Sequence, residues 1–173
     1  GAVGEFLRVA SLVPDSTIRA KAEFDAATLL LNAQQWERAA QVLEAFRSAH
    51  PQHELAPDAT RKLAVAYLES GRTQQAAIEL ERVATLAGED GEIRRTALWQ
   101  AAELYVGAND RAAATRAYAT YVERYPAPHA AAIDARQALA DLARDSGDTS
   151  GRRRWLEEVI AADAAAGSQR TDR

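Results

Sequence analysis

Apolar residues recur along this chain at three- and four-residue spacing, in blocks broken by polar or turn-forming residues. The clearest block is 58–86, DATRKLAVAYLESGRTQQAAIELERVATL. Leu63, Ala64 and Tyr67 fall on one face of a first helix, and Ala76, Leu80 and Val83 on one face of a second. Gly71 lies between them, where a left-handed backbone angle ends the first helix without a Cβ clash. No alternating apolar–polar strand pattern appears, so the spacing predicts an all-α chain. One hairpin of this kind cannot bury both of its faces alone, and therefore predicts neighbours.

The neighbours recur at a fixed period. Aligned on the small residue that opens each second helix, the chain offers Ala2, Ala39, Ala76, Ala114 and, poorly, Arg152, at steps of 37, 37, 38 and 38 residues. Four residues on stand Phe6, Leu43, Leu80, Tyr118 and Leu156; seven on stand Val9, Phe46, Val83, Tyr121 and Val159. Twelve on stand Pro14, Pro51, Gly88, Pro126 and Ala164, helix breakers in all but the last repeat. Repeated chemistry at a constant step predicts an array of stacked units.

These positions resemble the tetratricopeptide repeat, whose 34-residue unit has small residues at two packing positions, a Tyr, a turn Gly and a closing Pro. The second repeat is similar at Ala64, Tyr67, Gly71, Ala76 and Leu80, and the third at Ala102, Tyr105, Ala114, Tyr118 and Pro126, with Asn109 at the turn. The first keeps Ala27, Ala39, Leu43 and Pro51 but has Leu30 for the Tyr and Gln34 for the Gly. The fourth is worn: Ala140 and Gly147 fit, Ala143 replaces the Tyr, and Arg152 would crowd the packing of its second helix. The resemblance implies a right-handed α-solenoid of helix–turn–helix repeats. Its parts are a half repeat at 1–14, repeats at 15–53, 54–90 and 91–127, a degenerate repeat or cap at 128–166, and a frayed polar tail at 167–173. Pro14 closes the half repeat, Asp15 or Ser16 caps the next helix, and Pro57 opens the first helix of the second repeat.

In this family the first helices line a concave groove that holds peptides or partner helices. Carried over by position, the resemblance implies groove residues Lys21, Phe24, Asp25, Thr28 and Asn32 in the first repeat. It implies Arg61, Lys62, Val65 and Glu69 in the second, with Asp58 and Leu68 beside them, and Trp99, Gln100 and Glu103 in the third. Trp99 is the leading candidate for a binding anchor, because aromatics dominate interface energies; packing against a neighbouring helix competes with that role. Phe24 and Thr28 stand where some relatives place a Lys and an Asn that grip a terminal carboxylate, so that clamp is not expected within this chain.

Composition narrows the function. A formal charge of −4 disfavours a general nucleic-acid binder, and no apolar run approaches the length of a membrane span. Cysteine is absent, which removes disulfides and thiolate metal sites. Methionine is absent too; an opening Gly-Ala-Val-Gly on second-helix phases leads us to expect a piece of a longer array. His50 and His53 flank Pro51 and lack the further ligands a metal would need. The basic run Arg152–Arg154 is offset by Glu157 and Glu158, and Trp36 and Trp155 fall beside core phases. No nucleophile elbow or phosphate loop is present.

The expectation is therefore a non-catalytic scaffold with no cofactor and no metal, binding a protein or peptide in its groove. It is expected neither to bind nucleic acid nor to insert in a membrane. A structural spacer self-associating through its repeat ends, or a regulatory module of a larger enzyme, stand as alternatives. The 37–38-residue period and the Tyr-Pro that ends the third repeat are similar to periplasmic repeats of Gram-negative bacteria, such as the outer-membrane assembly lipoprotein and the Tol–Pal coordinator. An Ala- and Arg-rich composition agrees, so the periplasm or cell envelope is the expected location, with the cytoplasm as the alternative.

Overall fold

The computed structural model describes residues 1–12, 17–127 and 129–171, with side chains at all of these except 7, 9–12, 17 and 165–171. Among the described residues every regular element is an α-helix. They are α1 (Ala2–Leu12), α2 (Thr17–Asn32), α3 (Trp36–Ala49), α4 (Ala56–Glu69), α5 (Thr73–Val83), α6 (Gly91–Gly107), α7 (Arg111–Arg124), α8 (His129–Asp145) and α9 (Thr149–Thr171). Pro14, the caps expected at Asp15 or Ser16, and Pro128 lie outside the described residues. Two compact units divide the chain, Gly1–Arg94 and Arg95–Arg173.

In the first unit each helix packs on the next, from α1 through α5, and α2 also touches α4. Contact between alternate helices is what distinguishes stacked hairpins from a simple up-and-down chain. Small residues permit it: Ala26, Ala27, Ala39, Ala40, Ala76 and Ala77 are fully covered, which lets the helix axes approach closely. Leu30, Leu43, Phe46 and Leu63 fill the remaining space, and each contributes a few kcal/mol by its burial, about 2–5 as judged from truncation to Ala.

Polar ties cross the same interfaces. Glu79 of α5 is almost wholly buried and accepts a two-pronged ion pair from Arg47 of α3, with Nη2 to Oε1 at 2.9 Å. The Tyr67 hydroxyl on α4 donates to the Glu44 carboxylate on α3, while the Arg72 guanidinium lies 4.7 Å over the Tyr67 ring. Burial, helped by the nearby Glu44 charge, raises the Tyr67 phenol well above its ordinary value, so it remains a donor.

In the second unit α7 packs on α8 and α8 on α9. Trp99 of α6 meets Tyr118 and Tyr121 of α7 edge to face, with centroids 5.4 and 5.1 Å apart. The Asp110 side chain caps α7 by accepting the Ala113 N–H at 3.1 Å. Burial raises the Tyr118 phenol to about 12.

Four turns share one geometry. Gln34, Gly71, Asn109 and Gly147 have φ of 56°, 73°, 58° and 75°. At each, the N–H of the following residue reaches five back, Gln35 to Leu30, Arg72 to Tyr67, Asp110 to Tyr105 and Asp148 to Ala143, at 2.8–2.9 Å. A second bond from the left-handed residue itself reaches three back, to Leu31, Leu68, Val106 and Arg144. This is the paired bond pattern of a Schellman cap. Gly is the residue with no steric cost there, and Gln34 and Asn109 hold the same conformation with a Cβ.

Two expectations are corrected at the C-terminal end. The buried residue that opens α9 is Gly151, not Arg152, which is exposed. Asp148 Oδ1 accepts the Gly151 N–H at 2.8 Å, the same cap that Asp110 makes to Ala113, and a Cβ at 151 would require the Asp148 carboxylate to shift. This hydrogen bond also holds the Asp148 carboxyl below its usual range. Second, α9 continues through Gly167 to Thr171, where a frayed tail is expected. The run from Ala161 to Ala166 contains nothing that stops a helix, and no proline follows.

Two stability outcomes follow from these contacts. Gln34→Gly and Asn109→Gly should each raise unfolding free energy by up to about 1 kcal/mol in urea titrations, since relief of left-handed strain outweighs added chain entropy; a loss at both would refute the cap assignment. Glu79→Ala should cost about 2–4 kcal/mol by leaving Arg47 unpaired, and Arg47→Met with Glu79→Leu should recover most of it. A change under about 0.5 kcal/mol in Glu79→Ala would place the pair with ordinary surface charges.

Candidate functional site

The first helices α2 and α4 lie side by side and present the residues to which sequence position assigns a groove. Between them is an open hollow of about 480 Å³, lined by Leu31, Asn32, Trp36, Asp58, Arg61, Lys62 and Val65. Asn32, Arg61, Lys62 and Val65 were expected at a binding surface and are brought together here. Phe24 joins them from one side, with the Lys62 ammonium 5.5 Å over its ring.

Two cations in the hollow behave differently. Arg61 is held by two carboxylates, Asp58 one turn earlier on α4 and Glu89 in the turn before α6. Its guanidinium is thereby fixed and its charge met within the protein. Lys62 has the Phe24 ring as its contact, and among the described residues no carboxylate pairs with it. A cation resting on a π face, beside exposed Val65 and the apolar walls of Leu31 and Trp36, is suited to an incoming acidic or polar group next to an apolar one.

Other expected residues lie outside the hollow. Lys21 is exposed on α2, Asp25 is half-buried, and Thr28 turns its hydroxyl back to donate to the Phe24 carbonyl at 3.0 Å. Glu69 is exposed at the end of α4. Trp99, Gln100 and Glu103 belong to the second unit; Gln100 and Glu103 are exposed, whereas the half-buried Trp99 ring is engaged by Tyr118 and Tyr121.

Trp36 is the hollow residue that sequence reasoning placed in the core instead. It opens α3 directly after the left-handed Gln34 turn, and a helix-opening aromatic behind such a turn is the signal that could have marked it. Glu89, in a segment read only as a breaker, was missed because its partner Arg61 is 28 residues away.

The histidine pair is built into packing. Both rings lie against Phe46, at 5.4 and 5.6 Å, and His53 Nδ1 accepts the Leu55 N–H at 3.1 Å. Among the described residues no group of three or more His, Cys, Asp or Glu is arranged to hold a metal. No described helix is long and apolar enough to cross a membrane.

Residues 21–53 and 96–127 match the family model for the tetratricopeptide repeat. Among solved structures, one described as a Podosopora anserina kinesin light chain with nearly identical TPR-like repeats is 20% identical, with a TM-score of 0.53 over 95% of this chain and 86% of that one. MamA is 15% identical, with a TM-score of 0.50 over 97% of this chain and 90% of that one. Identities this low show the fold alone: an all-α, TPR-like solenoid class. No curated protein matches the chain. Tetratricopeptide repeats are in general non-catalytic scaffolds for protein–protein interaction.

The contrast between Trp99 and Val65 can be measured. Trp99→Ala should lower unfolding free energy by about 2–4 kcal/mol through lost burial and two lost edge-to-face contacts. Val65→Ala, at an exposed site, should stay within about 0.5 kcal/mol of the parent. Urea titrations in which both variants match the parent would return Trp99 to the solvent-facing surface.

Proposed function

We propose that this chain is a non-catalytic interaction scaffold that binds a peptide or partner segment along α2 and α4. The observation that carries this reading is the hollow in which Asn32, Arg61, Lys62 and Val65 converge around Trp36 and Leu31. Its walls are mixed: apolar anchors for one side chain, an uncompensated ammonium for an acidic neighbour, and a carboxamide at Asn32 for main-chain groups. Such a surface suits an extended amphipathic segment better than a compact metabolite, which calls for a more enclosed site. Gln100 and Glu103 are the corresponding exposed positions of the second unit, where the Trp99 ring is taken up by Tyr118 and Tyr121.

Lys62 and Val65 are the residues to change, because neither is needed for packing. A displayed library of random peptides panned on the chain should enrich sequences with a large apolar residue beside an acidic one. Lys62→Glu and Val65→Asp should each weaken the enriched peptides about tenfold or more, with helical circular dichroism unchanged. Absence of enrichment, or equal capture by both variants, would remove the hollow from consideration.

A further inference from the structure

The outer face of α9 carries large apolar residues that stand open. Gly151, Trp155, Val159 and Ala162 form the covered or half-covered stripe of this helix, which packs on α8. The opposite stripe carries Leu156 and Ile160, 40% and 69% exposed. At the phase of Leu156, the earlier second helices bury Leu43, Leu80 and Tyr118 to within 7% exposure. Leu156 therefore has the chemistry of a packing position without the cover the others have among the described residues. With Ile160, Thr149, Arg152, Arg153 and Glu157 it lines a shallow hollow of about 330 Å³.

Spacing and charge along this stripe say what fits it. Arg153, Leu156, Ile160 and Asp163 follow one another at steps of three, four and three, the seam of a two-helix coil. Its two ends carry opposite charge, and the 2.9 Å pair of Arg153 with Glu157 on the same helix is a solvent-exposed one that a partner's carboxylate can share. A parallel second copy would set arginine against arginine and aspartate against aspartate. An antiparallel copy, related by a twofold axis at residue 158, places Leu156 against the partner's Ile160 and Arg153 against the partner's Asp163. The stripe is complementary to itself in that direction only.

We propose that α9 is a self-association surface through which two copies of this chain pair antiparallel. The matched seam is about 15 Å long at 1.5 Å per residue. It buries less area than a standard stable interface, so the dimer is weak and depends on concentration.

Sedimentation equilibrium of the 173-residue chain, from about 10 μM to about 1 mM, tests this. The mass should rise from 18.7 kDa toward twice that value. Ile160→Glu should hold it at the single-chain mass throughout. Arg153→Glu or Asp163→Arg alone should weaken the dimer roughly tenfold, and the two together should return it to within about threefold of the parent. Val65→Asp should leave it intact. A parent chain that stays at 18.7 kDa at every concentration overturns the proposal. So does a double charge reversal no better than either single change, or a dimer that survives Ile160→Glu. Loss of the dimer in Val65→Asp would place the contact in the α2–α4 hollow instead. Should Ile160→Glu lose helical circular dichroism, the charge-reversal set decides the matter alone.

Discussion

A helical hairpin with an apolar stripe on both of its sides can be covered only by another hairpin, and every other feature of this chain follows from that shortage. In the first unit the shortage is met by α2, α3, α4 and α5, each packed on the next, with α2 reaching α4. Alanine at the closest approaches sets how near the helices come, and the caps set how sharply the chain returns. The left-handed residue recurs at 34, 71, 109 and 147, so the same turn is made each time whichever side chain occupies it. The period is a property of the backbone first and of the residues second. Because first helices are covered mainly by second helices, their remaining face stays open, and that open face is where the hollow forms.

Much of this was legible in the sequence, because burial in a solenoid repeats and repetition is visible. Ala39, Ala76 and Ala114, and with them Leu43, Leu80 and Tyr118, are buried where their phases placed them. Gly71 and Gly147 announced their turns. Gln34 and Asn109 did not, since what makes a cap is the pair of bonds to the preceding carbonyls, which side-chain identity only biases. The fourth repeat keeps the register of the others but not their burial. Arg152 stands five residues past its left-handed turn, as Ala39, Ala76 and Ala114 do, yet it is exposed and the neighbouring Gly151 is covered instead. Polar ties such as Arg47 to Glu79 and Arg61 to Glu89 were illegible, because a charged residue on an amphipathic helix reads as solvent-facing until its distant partner is known.

The hollow shows how such ties shape a surface without taking part in binding. Asp58 and Glu89 hold Arg61 and absorb its charge. Were Arg61 free, the hollow would be a diffuse cationic patch; with it neutralised, the field there is dominated by Lys62 on its Phe24 ring. One positioned charge beside apolar walls discriminates between ligands better than several mobile ones, because a poorly matched neighbour leaves it desolvated and unpaired. Trp99 illustrates the opposite case. The most conspicuous aromatic of the first helices is committed to Tyr118 and Tyr121, so prominence in sequence and availability in structure part company.

The same reasoning separates the two surfaces of this chain by helix type. First helices keep a free face because their partners cover the other side, and that face is mixed and polar enough to remain in water. Second helices carry large apolar residues at a repeating phase, which the earlier repeats bury as Leu43, Leu80 and Tyr118. Leu156 and Ile160 on α9 therefore stand exposed for a reason of design by repetition, whereas Val65 in the hollow stands exposed among charges. An apolar residue at a stacking phase wants a helix against it; one ringed by Asn32, Arg61 and Lys62 wants a side chain. A change that disables one surface should leave the other untouched, because the residues of each are held by different neighbours: those of the hollow by α3 and α5, those of the outer stripe by α8.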